Sequence, residues 1–350
     1  MTIEIRIAQS DDAEEWDSII SKSSHGTIFH SWNWLKIAEK YTHSKLYPLI
    51  GVKGSTPVGV FPLFFQKKGP VRKVSSPPRH LSMYYLGPVM IGYDTLKQEK
   101  RENNYIDFQN AVEHFIKYEL KANYIEVFLS PALQDPRPFS WSGYSIRLDS
   151  DYVVDLSNGI DNLYKILDRK QRADLKRAND KGMIVEIGTK KDYEKILDLS
   201  EIRYAKQGKL LPGSKDYFLE IFETFEKHMK IFVVKIEGEV VTGTIYLQYK
   251  ESFYVWFGNA KPENRITPSP NHLLYWESIR YAIEHELKYF TILGSADHKR
   301  LHKFYAARLN PELRIRYIVG KSSFLTGIFV KGYSTIKNYT MSKESSPSTE

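Results

Sequence analysis

Asp155–Gly182, DLSNGIDNLYKILDRKQRADLKRANDKG, lies near the middle of the chain and separates two halves of matching pattern. Its spacing predicts one amphipathic helix. Asn158 or Ser157 can cap the start and Gly182 ends it, while Ile160, Leu163, Leu167, Leu175 and Ala178 recur at helical intervals as a buried stripe. At about 100° per residue, Lys165, Arg169, Arg172 and Lys176 fall on the opposite side. Between Lys165 and Lys181 there are seven cations against three acids, a surplus of four in a chain whose net charge is +8. Two readings follow. One is the solvated face of an ordinary surface helix. The other is a patch for a phosphate-bearing ligand, which arginine can grip at two points.

Outward from this stretch, 350 residues suit two domains of ordinary size. We expect them at 1–150 and 151–340, followed by a polar tail, 341–350 (MSKESSPSTE), that has nothing to bury. The chain has no cysteine, which excludes disulfides, thiolate metal sites and a nucleophilic thiol. The start, MTIEIRIAQSDDAEEW, has no basic region followed by an apolar run, and no stretch is long enough to span a bilayer. A cytoplasmic protein is the expectation. A pI near 9.1 permits contact with nucleic acid or an anionic membrane surface without requiring either.

In the first half a strand Ile3–Ala8 precedes a helix at about 11–23 and a second in FHSWNWLKIAEKY, with Ser31 as its cap. A hairpin follows with its turn at Gly54-Ser55, then a basic, proline-rich loop, 66–80, expected as a lid. A strand near 84–90, a helix at about 104–121 and a strand Asn123–Ser130 complete the half. The second half repeats this order with helices at 190–206 and 215–227, a hairpin, a strand in SFYVWFGNA, a helix at 271–286 and a strand Lys288–Ser295. Leu49–Phe64 lies on Val233–Gln248 without a gap, which matches Gly54 to Gly238 and Gly59 to Gly243. Glycine in the second arm of each hairpin points to a bulge or a close backbone approach. The fold class expected is therefore α+β, a mixed α/β pattern present twice in tandem.

That ordering resembles the GNAT acyltransferase fold. In GNAT proteins two neighbouring strands splay apart at a bulge, and the exposed backbone holds an acyl donor. The phrase LYKILDRKQRADLKRANDKGMIVE resembles the signature of the Fem-type aminoacyl transferases and their FemAB-like relatives, as do FHSWNWLKIAEK, YYLGPVM and SPNHLLYWESIRYAIEHELKYFTILGS. The resemblance implies two tandem GNAT-like domains. It also implies transfer of an activated acyl group, from acyl-CoA or aminoacyl-tRNA, to an amine on a cell-envelope precursor or similar acceptor that carries phosphate or is lipid-linked. By the same resemblance Lys36 and Arg172 hold the acceptor's phosphates. An amine attacks an ester or thioester directly, so positioning, a proton acceptor and oxyanion donors suffice and no catalytic triad is required.

The chain departs from the family pattern at Thr291, where an aspartate is usual, and at Tyr305, where a lysine is usual and Lys303 stands two positions away. ENRITPSPNHLL puts prolines where CoA-using relatives have a glycine-rich pyrophosphate loop. The donor is thus open between acyl-CoA and aminoacyl-tRNA. His302 and Asp297 are the candidate proton acceptors, with Glu201 and Glu277 as rivals; the His298/His302 spacing lacks the glutamate of a zinc-protease motif, and no metal is expected. Trp34 beside Lys36, Arg169, Lys176, Tyr204, Trp256, Lys303 and Tyr305 complete the candidate substrate-binding set, with core packing as the alternative for the aromatics. The apolar, lysine-bearing segment Ser322–Tyr339 suits a closing helix or a peripheral membrane contact. A scaffold that binds RNA or a phospho-ligand without chemistry is the alternative to the enzyme.

Overall fold

The computed structural model describes residues 2–258, 266–294, 309–323 and 326. They form two compact units, Met1–Leu148 together with the chain from Arg316, and Asp149–Ile315. The strand that begins near Glu312 is counted from Arg316 with the first unit.

The first unit contains β1 (Ile3–Ile7), α1 (Ala13–Lys22), α2 (Trp32–Thr42), β2 (Lys45–Lys53), β3 (Thr56–Lys68), β4 (Val71–Ser76), β5 (Val89–Met90), α3 (Gln98–His114), β6 (Tyr124–Phe128) and α4 (Arg137–Trp141). β1 to β4 form an antiparallel meander. α3 then carries the chain across to β6, which pairs parallel with β4. Tyr105, Phe108 and Val112 of α3 pack on Leu49, Phe61, Val74 and Ile125 of the sheet. That apolar face holds the crossover down, each large side chain contributing roughly 1.5–3 kcal/mol on burial.

Through β7 (Ser145–Asp155) the chain enters the second unit, with α5 (Gly159–Ile166), α6 (Arg169–Asp180), β8 (Ile184–Ile187), α7 (Lys190–Ala205), α8 (Lys215–Phe225), β9 (Met229–Ile236), β10 (Glu239–Tyr249), β11 (Ser252–Gly258), α9 (Pro270–Glu284) and β12 (Tyr289–Ile292). The meander β8 to β11 and the parallel pair β11/β12 reproduce the first unit's plan. Within the units the strand orders are β1-β2-β3-β4-β6-β13 and β8-β9-β10-β11-β12-β7, where β13 is Glu312–Ser322. The closing strands are exchanged: β7 follows β6 in sequence but pairs antiparallel with β12, and β13 follows β12 but pairs antiparallel with β6.

The paired glycines behave alike. A Cβ on Gly59 would lie 3.0 Å from the Val89 carbonyl and 3.1 Å from Phe108, and one on Gly243 would lie 2.6 Å from Ile196. A ladder irregularity also sits beside each. Bulge and close approach therefore occur together.

Four expectations are corrected. The central helix is two helices, because Leu167 turns extended (ψ 136°) and Asp168 starts α6 with a capping box: its carboxylate accepts the Gln171 N–H at 2.7 Å and the Gln171 side chain accepts the Asp168 N–H at 3.0 Å. The loop 66–80 is mostly the β3/β4 hairpin, which pairs Gln66 with Lys73 and Lys68 with Val71. The helix expected at 104–121 begins at Gln98 and ends in a π-type turn, Phe115–Glu119. Ser31 directs its hydroxyl back to the Ile28 carbonyl, and the first amide of α2 is taken by Asp17 of α1 at 2.8 Å.

Candidate functional site

The apolar stripe of the central stretch survives the break between α5 and α6. Leu163, Leu167, Leu175 and Ala178 are buried in the second unit's core, with Ile160 packed against it. The cations face away from that core: Lys165, Arg169 and Lys176 are exposed and Arg172 is half-buried. The break separates Lys165 from the other three, so the row that shares a face is Arg169, Arg172 and Lys176. None of these three has an ion pair among the described residues. The Arg172 guanidinium lies over the ring of Tyr164 at 5.9 Å, and that ring meets Trp276 edge-on at 5.6 Å. An arginine stacked on an aromatic face keeps its in-plane donors for a ligand.

α6 is fastened to the start of α9. Asp174 is buried and takes Arg177 on one side, with His272 Nδ1 3.8 Å away on the other. Lys181 Nζ donates to the Thr267 carbonyl at 2.6 Å, and the Thr242 hydroxyl bonds Asn271 at 2.9 Å. Pro268 and Pro270 stand in the segment leading into α9, with Pro270 at its first turn. Neither has an N–H, so this helix start offers fewer donors to a pyrophosphate than the same turn without prolines.

The second feature is a parting of strands. Among the described residues β11 and β12 pair from Ser252↔Tyr289 to Val255↔Ile292. Against β10 the register jumps from Tyr246↔Val255 to Ile245↔Phe257, which leaves Trp256 as the extra, bulged residue. Just past β12 the Gly294 N–H donates to buried Asp151 Oδ1 on β7 at 2.7 Å. Gly258, φ 120°, lets the far end of β11 lie close to β10: a Cβ there would stand 2.6 Å from the Gly243 carbonyl oxygen. Its own carbonyl accepts from Arg203 at 3.4 Å.

The remaining candidates fall as follows. Trp256 is 2% exposed and packs on Phe218 and Phe257, and Trp34 is 0% exposed, edge-on to Phe29 at 5.0 Å, so both are core side chains. Tyr204 is half-buried at the end of α7, and burial pushes its phenol above the ordinary range. Lys36 lies in the first unit, paired with Glu39, in a cleft of about 330 Å³ that Trp32, Lys45 and Tyr47 also line. Glu277 is half-buried and desolvation raises its carboxyl. His302, Asp297, Lys303 and Tyr305 lie outside the described residues, as do His298 and most of 322–339. Asp151, Gly258 and Gly294 were not anticipated from sequence. Among the described residues there is no group of three or more acids and histidines able to hold a metal, and no helix long and apolar enough to cross a membrane.

Residues 168–300 match the model of the acetyltransferase (GNAT) domain, so the chain carries an acyltransferase domain that α6 opens. The fold of nearly the whole chain is that of a tandem GNAT protein with Fem-type topology. The crystal structure of FemX is similar with a TM-score of 0.64 at 14% identity, over 90% of this chain and 96% of that one. A tandem GNAT protein from the clavulanic acid biosynthesis pathway gives 0.54 at 12%, over 91% and 97%. L-PGS from Bacillus licheniformis gives 0.54 at 12%, over 93% and 97%. No curated protein matches the sequence.

Proposed function

We propose that this protein is an N-acyltransferase that moves an activated acyl or aminoacyl group to an amine of a phosphate-bearing acceptor of the cell-envelope kind, an amino sugar or a peptide amine. The observation that carries the reading is the parting of β11 and β12 beside the Trp256 bulge. A parallel pair that ends beside a bulge is a place where a sheet can receive another extended, amide-bearing group, and an acyl or aminoacyl donor is one.

In the reaction the amine nitrogen forms a bond to the acyl carbon and the carbon–oxygen or carbon–sulfur bond to the donor breaks. The nitrogen gives up a proton, and the departing hydroxyl or thiol gains one. Arg172 on its Tyr164 platform, with Arg169 and Lys176, serves the acceptor's phosphates in this reading, and His302 or Asp297 takes the proton. The prolines at the start of α9 favour aminoacyl-tRNA over acyl-CoA as donor. Likeness to a putative lysylphosphatidylglycerol synthetase domain from Agrobacterium fabrum, TM-score 0.53 at 12% identity over 94% and 98% of the two chains, supports an aminoacyl donor and a lipid-linked acceptor. Both donors are made in the cytoplasm, which is where the reaction belongs.

The exposed cations of α6 would equally serve a protein that binds RNA or a phospho-ligand without chemistry. Such binding weakens steeply with salt and consumes no donor. Scanning fluorimetry with a nucleotide-linked amino sugar tests the role of Arg172. Arg172→Ala should remove the stabilisation this ligand gives and weaken its binding about tenfold or more. The ligand-free melting point should move by only about 2 °C, since a half-exposed cation–π contact is worth roughly 0.5–1 kcal/mol. A large loss without ligand would make the arginine structural.

A further inference from the structure

Glu126 on β6 is 3% exposed and bears three hydrogen bonds from guanidinium groups. Arg79 grips it at two points, Nε to Oε2 at 2.7 Å and Nη2 to Oε1 at 2.6 Å, and Arg147 Nη2 reaches Oε1 at 3.1 Å. Lys73, the ladder partner of Tyr124, holds its ammonium 5.8 Å from that ring and has no ion pair among the described residues. Two guanidinium groups therefore hold one carboxylate, and the Lys73 ammonium feels the charge of both Arg79 and Glu126. Burial, and then the charge of Arg79, depress the Lys73 ammonium, and Glu126 restores only part of this. The positive charge is left partly unneutralised.

A buried ion cluster kept only for folding would be a poor choice, since well-packed apolar side chains are commonly as stabilising. The fold does not need it. In the second unit the equivalent ladder pairs are Ser252↔Tyr289 and Tyr254↔Thr291, where the first has Lys73↔Tyr124 and Ser75↔Glu126, and the charges are gone. Glu126 occupies two N–H groups of Arg79 and one of Arg147, while each guanidinium has five. The side chains of Arg79 and Arg147 keep 50% and 63% of their surface exposed, so donors remain for a ligand. Arg79 also lines a cleft of about 240 Å³ with Pro77, Pro78, His80, Met83 and Phe128. The backbone of His80 is left-handed (φ 67°), a strain that clusters at ligand clamps.

We propose that Lys73, Arg79 and Arg147 form a phosphoryl-binding site of the first unit, pre-set by Glu126, whose ligand is a phosphate or diphosphate ester with its organic group in the adjoining cleft. This site does not depend on the acyl-transfer reading. Calorimetric titration of the full chain with inorganic pyrophosphate, with uridine diphosphate, and with phosphatidylglycerol against phosphatidylcholine vesicles tests it. Pyrophosphate should bind wild type and Arg172→Ala alike at this site, and Lys73→Met/Arg147→Gln should weaken that binding at least tenfold. Preference for uridine diphosphate would mark a soluble ester and preference for phosphatidylglycerol a lipid headgroup; either supports the site. Should the double variant lose its fold, Arg147→Gln alone, at a more exposed position, should still weaken pyrophosphate several-fold. Identical isotherms for wild type and either variant, or no binding of any phosphate probe to wild type, would overturn the proposal.

Discussion

A single glycine shows how closely the second unit's sheet is drawn. Gly258 sits at φ 120° with its α-carbon against the Gly243 carbonyl, which forbids a side chain on two counts. Gly258→Ala should destabilise the protein by about 1–3 kcal/mol in denaturant titration, because backbone must move and a strained dihedral must be held. An unchanged midpoint would mean that β10 and β11 separate easily there. Burial decides the roles of other residues as well. Trp34 and Trp256 were candidates for ligand contact by residue type, but type says nothing about which side of a helix or bulge meets solvent, and both proved to be core. Arg172 differs, because it is half-buried on an aromatic platform with no acidic partner among the described residues.

Among the elements, α6 depends on its first residue. Asp168 satisfies the Gln171 amide and Gln171 returns the bond, so Asp168→Ala should cost roughly 1 kcal/mol and fray the turn that carries Arg169 and Arg172. Fluorimetry should show a lower melting point together with weaker phosphate binding; loss of one without the other would separate the cap from the site. This break was legible. Asp168-x-x-Gln171 is a capping signature, but the continuous apolar stripe from Leu163 to Ala178 outweighed it, since a short extended link can leave both halves of a stripe buried. Both hairpins and their glycines were readable because turn chemistry and period-two alternation are local. The lid expected at 66–80 failed for a physical reason: lysines on a strand edge and lysines in a loop look alike in sequence, and only the pairing of β3 with β4 distinguishes them. The bond from Gly294 to Asp151 spans most of the second unit, and no local pattern announces it.

For the molecule as a whole, duplication is more than repetition. Each half of the sequence gives its last strand to the other unit's sheet, with β13 on β6 and β7 on β12. Ending the chain at Ile315 removes the antiparallel partner of β6, and with it the Arg316 contacts to the Tyr84 carbonyl and the Tyr85 ring. Amide exchange at Tyr124–Phe128 should then accelerate by orders of magnitude while Tyr289–Ile292 keep their protection. Equal loss in both strands would show that the two units unfold as one. The ladders also show the copies diverging: where one has Lys73 and Glu126 of the charged clamp, the other has Ser252 and Thr291. The proposed acyl transfer depends on the second unit, where the β11/β12 pair ends beside the Trp256 bulge. Its most direct measurement is the intact mass of an amine acceptor incubated with the protein and either aminoacyl-tRNA or acyl-CoA. The account predicts a product heavier by the acyl group less the displaced hydrogen, reduced at least tenfold by Arg172→Ala. Acceptor and donor both recovered unchanged, across aminoacyl-tRNAs and acyl-CoAs alike, would contradict it.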